Sequence, residues 1–86
     1  MKRGFPTTSV GKIDPTAKLP PYRQLADIIG ADIASGKLPR GSRLPSESEY
    51  VDEHELARST VRRAMAWLRE QGLVETVATR GTYVAE

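Results

Sequence analysis

Apolar residues between positions 25 and 33 recur at the three- and four-residue spacing of one helix face. The recurring positions are Leu25, Ile28, Ile29 and Ile33. Prolines are favoured in the first turn of a helix, so Pro20 and Pro21 predict its start, and Ser35-Gly36 predicts its end. We therefore expect one amphipathic helix between these two signals.

A second, shorter helix is predicted after an irregular connection. The connection "KLPRGSRLP", residues 37–45, contains one Gly and two Pro and leaves room for a short strand at Arg43-Leu44. Ser46 followed by Glu49 has the spacing of a capping box, in which each side chain accepts a hydrogen bond from the backbone N–H group of the other residue. The helix is expected to run from there to about His54.

The third predicted helix has one apolar face and one basic face. It spans about Arg58 to Gln71 and ends at Gly72. At a rotation of about 100° per residue, four apolar residues form a stripe that should face the core. These residues are Val61, Ala64, Met65 and Leu68. The opposite side carries Ser59, Arg62, Arg63 and Ala66, with Arg58 and Arg69 at the margin.

The chain is predicted to end in a β-hairpin. Two β-rich runs, Leu73–Val77 and Thr82–Ala85, flank the turn-like Thr79-Arg80-Gly81, which gives the hairpin a basic tip. About three residues separate the second and third helices, the spacing of a helix-turn-helix, and the hairpin that follows makes it winged. The expected fold is mainly α: three helices with a two- to three-stranded sheet, over residues 20–86.

Composition restricts the class of protein. The chain has 86 residues, no Cys, no apolar run long enough for a membrane span, and no apolar segment behind its first basic residues that would indicate a secretory signal. A reducing, cytoplasmic location without membrane association is therefore expected. Residues 1–19 combine Gly, Pro, Ser and Thr with four cations, and are predicted to be a basic flexible arm. The cations are Lys2, Arg3, Lys12 and Lys18.

Charge is distributed unevenly, although the net charge is only +2. Five acids fall within residues 47–55, and three arginines without an acid fall within residues 58–63. The second helix of a helix-turn-helix enters the major groove of DNA, where basic side chains neutralise phosphates and pair with guanine. The acidic helix would then direct its carboxylates to solvent or to a partner protein. The alternative is that both stretches are ordinary solvated helix faces.

Other chemistry finds little support in the sequence. His54 is the only histidine, so neither a metal site nor a nucleophile–base pair can be assembled around it. A glycine-rich phosphate loop is also lacking. We expect no enzymatic activity, no cofactor and no metal. Trp67 lies off the core stripe, and half-burial against the wing or another subunit is expected.

Four motifs strongly resemble the winged helix-turn-helix domain of the GntR family of bacterial transcription regulators. They are "LPSE" at 44–47, "RSTVRRAM" at 58–65, "GLVE" at 72–75 and "RGTYV" at 80–84. The resemblance implies operator contacts from Arg58 and Arg62, contacts to phosphate or base edges near Ser59 and Thr60, and a minor-groove wing. With the charge pattern, the expected DNA-binding residues are Ser46, Arg58, Ser59, Thr60, Arg62, Arg63, Arg80 and Gly81.

The chain departs from the family's pattern at four positions. Ser48 stands where the family usually has a DNA-contacting Arg, Glu55 where it has Gly, Ala57 where it has an N-cap Ser or Thr, and Thr79 where the wing has a first Gly. Each change is expected to weaken DNA contact or local geometry. Family members usually continue into a C-terminal effector-binding and dimerisation domain, so no small-molecule effector is expected for these 86 residues.

Sequence-specific binding of double-stranded DNA by a small bacterial regulator or repressor is the leading hypothesis. One alternative is a DNA-binding directionality or architectural factor of a mobile element. Another is a protein-interaction module that uses the acidic second helix. A partner protein is possible under each of these hypotheses. A weak or DNA-induced homodimer is expected, because one winged domain alone buries little surface on DNA.

Overall fold

The computed structural model describes residues 13–86, which form three helices followed by a hairpin. The elements are α1 (Pro21–Ser35), α2 (Glu47–His54), α3 (Arg58–Glu70), β1 (Val74–Val77) and β2 (Gly81–Val84). The order and type of the elements confirm the sequence-based prediction of a mainly α, winged helix-turn-helix architecture. Within residues 13–86, no helix has the length and apolar character that crossing a membrane requires.

Helix α1 begins and ends where its sequence signals predict. The backbone of Pro20 is extended, and Pro21 occupies the first turn, where a missing N–H group costs nothing. Gly36 ends the helix with φ of 88°, a left-handed conformation that glycine adopts without a Cβ clash. Leu25 and Ile29 are buried on the face that packs against α3.

Helix α2 starts in the predicted capping box. The Ser46 hydroxyl accepts from the Glu49 backbone N–H group at 3.1 Å, and the Glu49 carboxylate accepts from the Ser46 N–H group at 3.0 Å. Tyr50 is the buried residue of this helix, and its ring stacks on His54. Burial raises the pKa of the Tyr50 hydroxyl well above its usual value, and the negative charges of Asp32, Glu53 and Glu49 raise it further.

The core of the described chain lies between the three helices and the base of the hairpin. All four residues of the predicted α3 stripe are buried, which confirms the phase assigned to that helix. The buried residues are Leu25, Ala26, Ile29, Leu44, Tyr50, Val61, Ala64, Met65, Leu68, Val74 and Val84. Because none of these residues is charged, apolar burial is what holds the helices together.

The sheet has two antiparallel strands, paired from Val74 opposite Val84 to Val77 opposite Gly81. The short strand predicted at Arg43-Leu44 is reduced to one bridge between Arg43 and Tyr83. On either side of that bridge, the Leu44 N–H group donates to the Thr82 carbonyl, and the Val84 N–H group donates to the Ser42 carbonyl, both at 2.8 Å. The connection before α2 is therefore fixed along β2.

Residues 13–19 belong to the sequence predicted as a flexible arm, but the structure attaches them to α1. The amide of Gln24 accepts from the Asp14 N–H group and donates to the Asp14 carbonyl, both at 2.8 Å, and donates to the Leu19 carbonyl at 2.7 Å. Ile13 packs against the core. The part of the chain that packs on the core therefore includes Ile13. Lys2, Arg3 and Lys12 lie outside the described residues.

Candidate nucleic-acid interface

The turn between α2 and α3 sets the direction in which α3 projects. Glu55 ends α2 in the left-handed conformation, with φ of 55°, and its N–H group donates to the Val51 carbonyl. Ala57 has the extended backbone of an N-cap residue but no side chain that can cap. Both positions keep the backbone geometry that Gly and Ser or Thr would favour, so the fold tolerates these two departures at some cost in stability.

Helix α3 presents an exposed basic face from its first turn onward. Arg58, Ser59, Arg62 and Arg63 are exposed, while Thr60 is half-buried. The hydroxyl groups of Ser59 and Thr60 make no hydrogen bond with any residue between 13 and 86, so both can contact a ligand. The Ser46 hydroxyl is already engaged in the capping box of α2.

A carboxylate of α2 lies between the two arginines expected to contact bases. Glu47 Oε1 is 3.4 Å from Arg58 Nη1 and 3.2 Å from Arg62 Nε. Arg58 Nη2 also donates to the Ser48 hydroxyl at 3.0 Å. The side chains of Glu47, Arg58 and Arg62 are 37%, 47% and 66% exposed, so these are surface ion pairs that add little to stability.

This arrangement corrects the expectation that every acid of α2 faces away from the basic helix. Glu47 occupies the first position of α2, and the helix-turn-helix brings that end of α2 beside the first two turns of α3. The other acids fit the expectation better, because Asp52, Glu53 and Glu55 are exposed and none of them pairs with an arginine of α3. Ser48, the residue in place of the family's usual Arg, supports Arg58 instead.

Arg63 contacts Tyr22 of α1, whereas Arg58 and Arg62 contact Glu47 of α2. Its guanidinium lies over the Tyr22 ring, 4.6 Å from the ring centroid, and so contacts the start of α1. The guanidinium of Arg23 lies in the same way over Trp67, at 4.2 Å. The half-burial expected for Trp67 is found, and the ring contacts Arg23 of α1.

The hairpin presents Arg80 at its tip. The Arg80 N–H group donates to the Val77 carbonyl at 3.0 Å, which closes the turn between the two strands. Thr79 carries the left-handed φ of 63° and Gly81 a φ of 122°. The Arg80 side chain is exposed and forms no ion pair within residues 13–86, so its charge is available at the tip.

Arg43 was not among the residues predicted from the sequence to bind DNA. A cleft of about 350 Å³ separates the hairpin from the start of α3, and Arg43 lines it together with Glu47, Arg58 and Gly81. The available signal was the predicted strand at Arg43-Leu44, which would place this residue beside the hairpin. Among residues 13–86, no group of three or more His, Cys, Asp or Glu side chains could hold a metal ion.

Three features therefore line this one cleft: the start of α3, the first residue of α2 and the start of β2. An exposed helix with a flanking hairpin is the geometry of winged helix-turn-helix DNA-binding domains. Residues 21–84 match the family model described as bacterial regulatory proteins, gntR family. The chain belongs to this family.

Curated relatives agree with this assignment. The mannosyl-D-glycerate transport/metabolism system repressor MngR of Escherichia coli is 46% identical over 67 residues, which cover 78% of this chain and 28% of MngR. The repressor NagR of Bacillus subtilis is 34% identical over 74 residues, 86% of this chain and 30% of NagR. The chain thus spans less than a third of either relative. Both relatives are repressors.

Solved structures of the family share the fold. YtrA from Sulfolobus acidocaldarius, a GntR-family transcription factor, superimposes with a TM-score of 0.82 at 36% identity, covering 91% of this chain and 82% of YtrA. The AraR DNA-binding domain in complex with operator ORR3 has a TM-score of 0.77 at 35% identity, covering 80% of this chain and 83% of that one. DNA-binding domains of this family thus bind operator DNA in this fold.

Proposed function

We propose that this chain binds double-stranded DNA sequence-specifically as the DNA-binding part of a bacterial transcriptional regulator. Helix α3 enters the major groove, and the hairpin lies in the adjacent minor groove. The observation that carries the proposal is a pair of exposed arginines on the first two turns of α3. Both arginines, Arg58 and Arg62, form ion pairs with the Glu47 carboxylate of α2. Repressor relatives and the AraR–operator complex support it.

Sequence discrimination is assigned to Arg58 and Arg62. A guanidinium can donate two parallel hydrogen bonds to guanine O6 and N7, and such a pair discriminates against a wrong base by about 1–3 kcal/mol. Ordering a long side chain costs about 0.5–1.5 kcal/mol on binding. Glu47 restricts both arginines before DNA arrives and so reduces that cost.

The remaining expected contacts add affinity more than discrimination. Arg80 enters the minor groove, whose hydrogen-bonding pattern is degenerate between A·T and T·A pairs. Ser59 and Thr60, at the start of α3, contact phosphate or base edges, while Arg63 reaches the backbone from the Tyr22 side. Ser46 is bound in its capping box, and its contribution is to hold the start of α2 beside the DNA.

Selection of bound duplexes from a random library tests the proposal and yields the site. Binding of that site is expected to weaken with salt at a log–log slope of roughly −4 to −5, for about four to six neutralised phosphates per subunit. Arg62→Ala should flatten the base preference at one position, whereas Arg80→Ala should lower affinity with the preference kept. A slope near zero would reject electrostatic DNA binding, and binding with no enriched sequence would reject its sequence specificity.

The acidic surface of α2 supports the alternative of a protein-interaction module less well than the sequence suggested. Of the five acids in residues 47–55, Glu47 is turned toward α3 and Glu49 is engaged in the capping box. Asp52, Glu53 and Glu55 are exposed and take part in neither contact. A role as a recombination factor shares the same DNA-binding surface, and the genomic position of the selected sites distinguishes it from promoter regulation.

A further inference from the structure

Arg43 is held alongside β2 by its backbone. It forms an antiparallel bridge with Tyr83, and the two hydrogen bonds that flank this bridge fix residues 42–44 along β2. These bonds use main-chain atoms, so they do not depend on the side chain at position 43. The exposed Arg43 side chain therefore starts from a rigid position.

The Arg43 side chain lies across Gly81. A Cβ added to Gly81 would lie 3.0 Å from Arg43 Nε and 3.6 Å from Cζ, so the guanidinium packs tightly against this glycine and would have to shift for a larger residue. Gly81 also has φ of 122°, which L side chains rarely adopt. The glycine at the start of β2 thus allows Arg43 to lie flat against the hairpin.

This position places Arg43 and Arg58 along the same cleft. Arg43 belongs to the hairpin wall, and Arg58 belongs to the wall formed by α2 and α3. When α3 occupies the major groove and the hairpin the adjacent minor groove, the sugar-phosphate backbone that separates these grooves must pass between the two elements. The cleft is the space between them.

The charge of Arg43 is not neutralised by the protein. Within residues 13–86, its guanidinium makes no hydrogen bond and no ion pair, whereas Arg58 is paired with Glu47 and Ser48. We propose that Arg43 binds a phosphate of the DNA strand that separates the major groove occupied by α3 from the minor groove occupied by the hairpin. The proposal rests on the proposed function and adds to it a residue that fixes the docking of the hairpin.

The test compares Arg43→Gln with Arg40→Gln on a duplex obtained by selection. Arg40 is a matched control, because it is exposed, lies three residues away, forms no ion pair within residues 13–86 and does not line the cleft. Loss of one phosphate contact should reduce the magnitude of the salt slope by about 0.9 and lower affinity at 0.1 M salt roughly eightfold. Arg43→Lys should retain most of the slope, and the base preference should stay unchanged in both Arg43 variants.

Neutral methylphosphonate substitutions, placed singly along the duplex, identify the phosphate. At one position, the substitution should weaken binding of the parent protein but not of Arg43→Gln. Equal slope losses for Arg43→Gln and Arg40→Gln would overturn the proposal, and so would a changed base preference in Arg43→Gln or the absence of such a phosphate. Circular dichroism of each variant verifies folding. If the parent protein itself fails to bind any duplex, the proposed function fails first.

Discussion

Replacing Glu47 by Gln tests whether Glu47 affects DNA binding by ordering Arg58 and Arg62 or only through its negative charge. The substitution keeps the size of the side chain but removes the carboxylate that lies 3.4 Å from Arg58 Nη1 and 3.2 Å from Arg62 Nε. Both arginines should then sample more rotamers in the free protein. We expect weaker binding to the selected site relative to other sequences, because the ordering cost moves from folding to binding.

The magnitude follows from the exposure of the three side chains. Ordering two arginines costs about 1–3 kcal/mol in total, but exposed ion pairs of this kind contribute only about 0.2–1 kcal/mol each. The two surface pairs together therefore supply about 0.4–2 kcal/mol of the ordering cost. Loss of that contribution lowers the ratio of specific to non-specific affinity by about two- to thirtyfold. Non-specific affinity itself should rise, since a negative charge near phosphates is removed.

The assay measures the dissociation constants of the selected duplex and of a scrambled duplex by fluorescence anisotropy at one salt concentration. Asp52→Asn is the control, because it makes the same charge change on an exposed part of α2, in a side chain that forms no ion pair within residues 13–86. Glu47 also lies in the first turn of α2, where a negative charge favours the helix by about 0.3–1 kcal/mol, so folding is verified by urea titration. A specificity ratio equal to that of Asp52→Asn would refute ordering by Glu47.

Four further predictions concern stability and assembly. Ala57→Ser should raise the free energy of unfolding by about 0.5–2 kcal/mol, because the extended backbone at this N-cap lets a hydroxyl accept from the free N–H groups of α3; a urea midpoint at or below the parent's would contradict this. Leu68→Ala should cost about 2–5 kcal/mol in the same titration, since Leu68 is fully buried, and an unchanged midpoint would mean that the core has been misassigned. Folding raises the pKa of the Tyr50 hydroxyl, so the stability that the neutral hydroxyl contributes is complete below the unfolded pKa of 10.0 and declines above it, by up to about 1.4 kcal/mol per pH unit. Tyr50→Phe should remove this contribution to the loss of stability at alkaline pH. An identical loss of stability in Tyr50→Phe and the parent would disprove the assignment to Tyr50. Leu19 and Val77 are the exposed large apolar residues among those described, so sedimentation should find the 86-residue chain monomeric or weakly dimeric, with cooperative binding to two half-sites; a tight dimer in the absence of DNA would refute this.

Local sequence determined most of the secondary structure of this protein. The spacing of apolar residues predicted α1 and the buried stripe of α3, and Ser46 with Glu49 predicted the start of α2. These signals act over three or four residues, within one helix turn, so they do not require knowledge of how elements pack. The hairpin was equally local, with boundaries that moved by about one residue.

Tertiary structure decided which side chains meet across elements. Glu47 is 11 and 15 residues from Arg58 and Arg62, Gln24 bonds to Asp14 ten residues earlier, and Arg43 lies across Gly81. Such contacts depend on the angle and separation between packed elements, which the shape of the whole core sets and no short pattern encodes. The sequence by itself therefore determined where the helices, the hairpin and the basic face are. Only the packed core decided that Glu47 pairs with Arg58 and Arg62 and that Arg43 lies across Gly81.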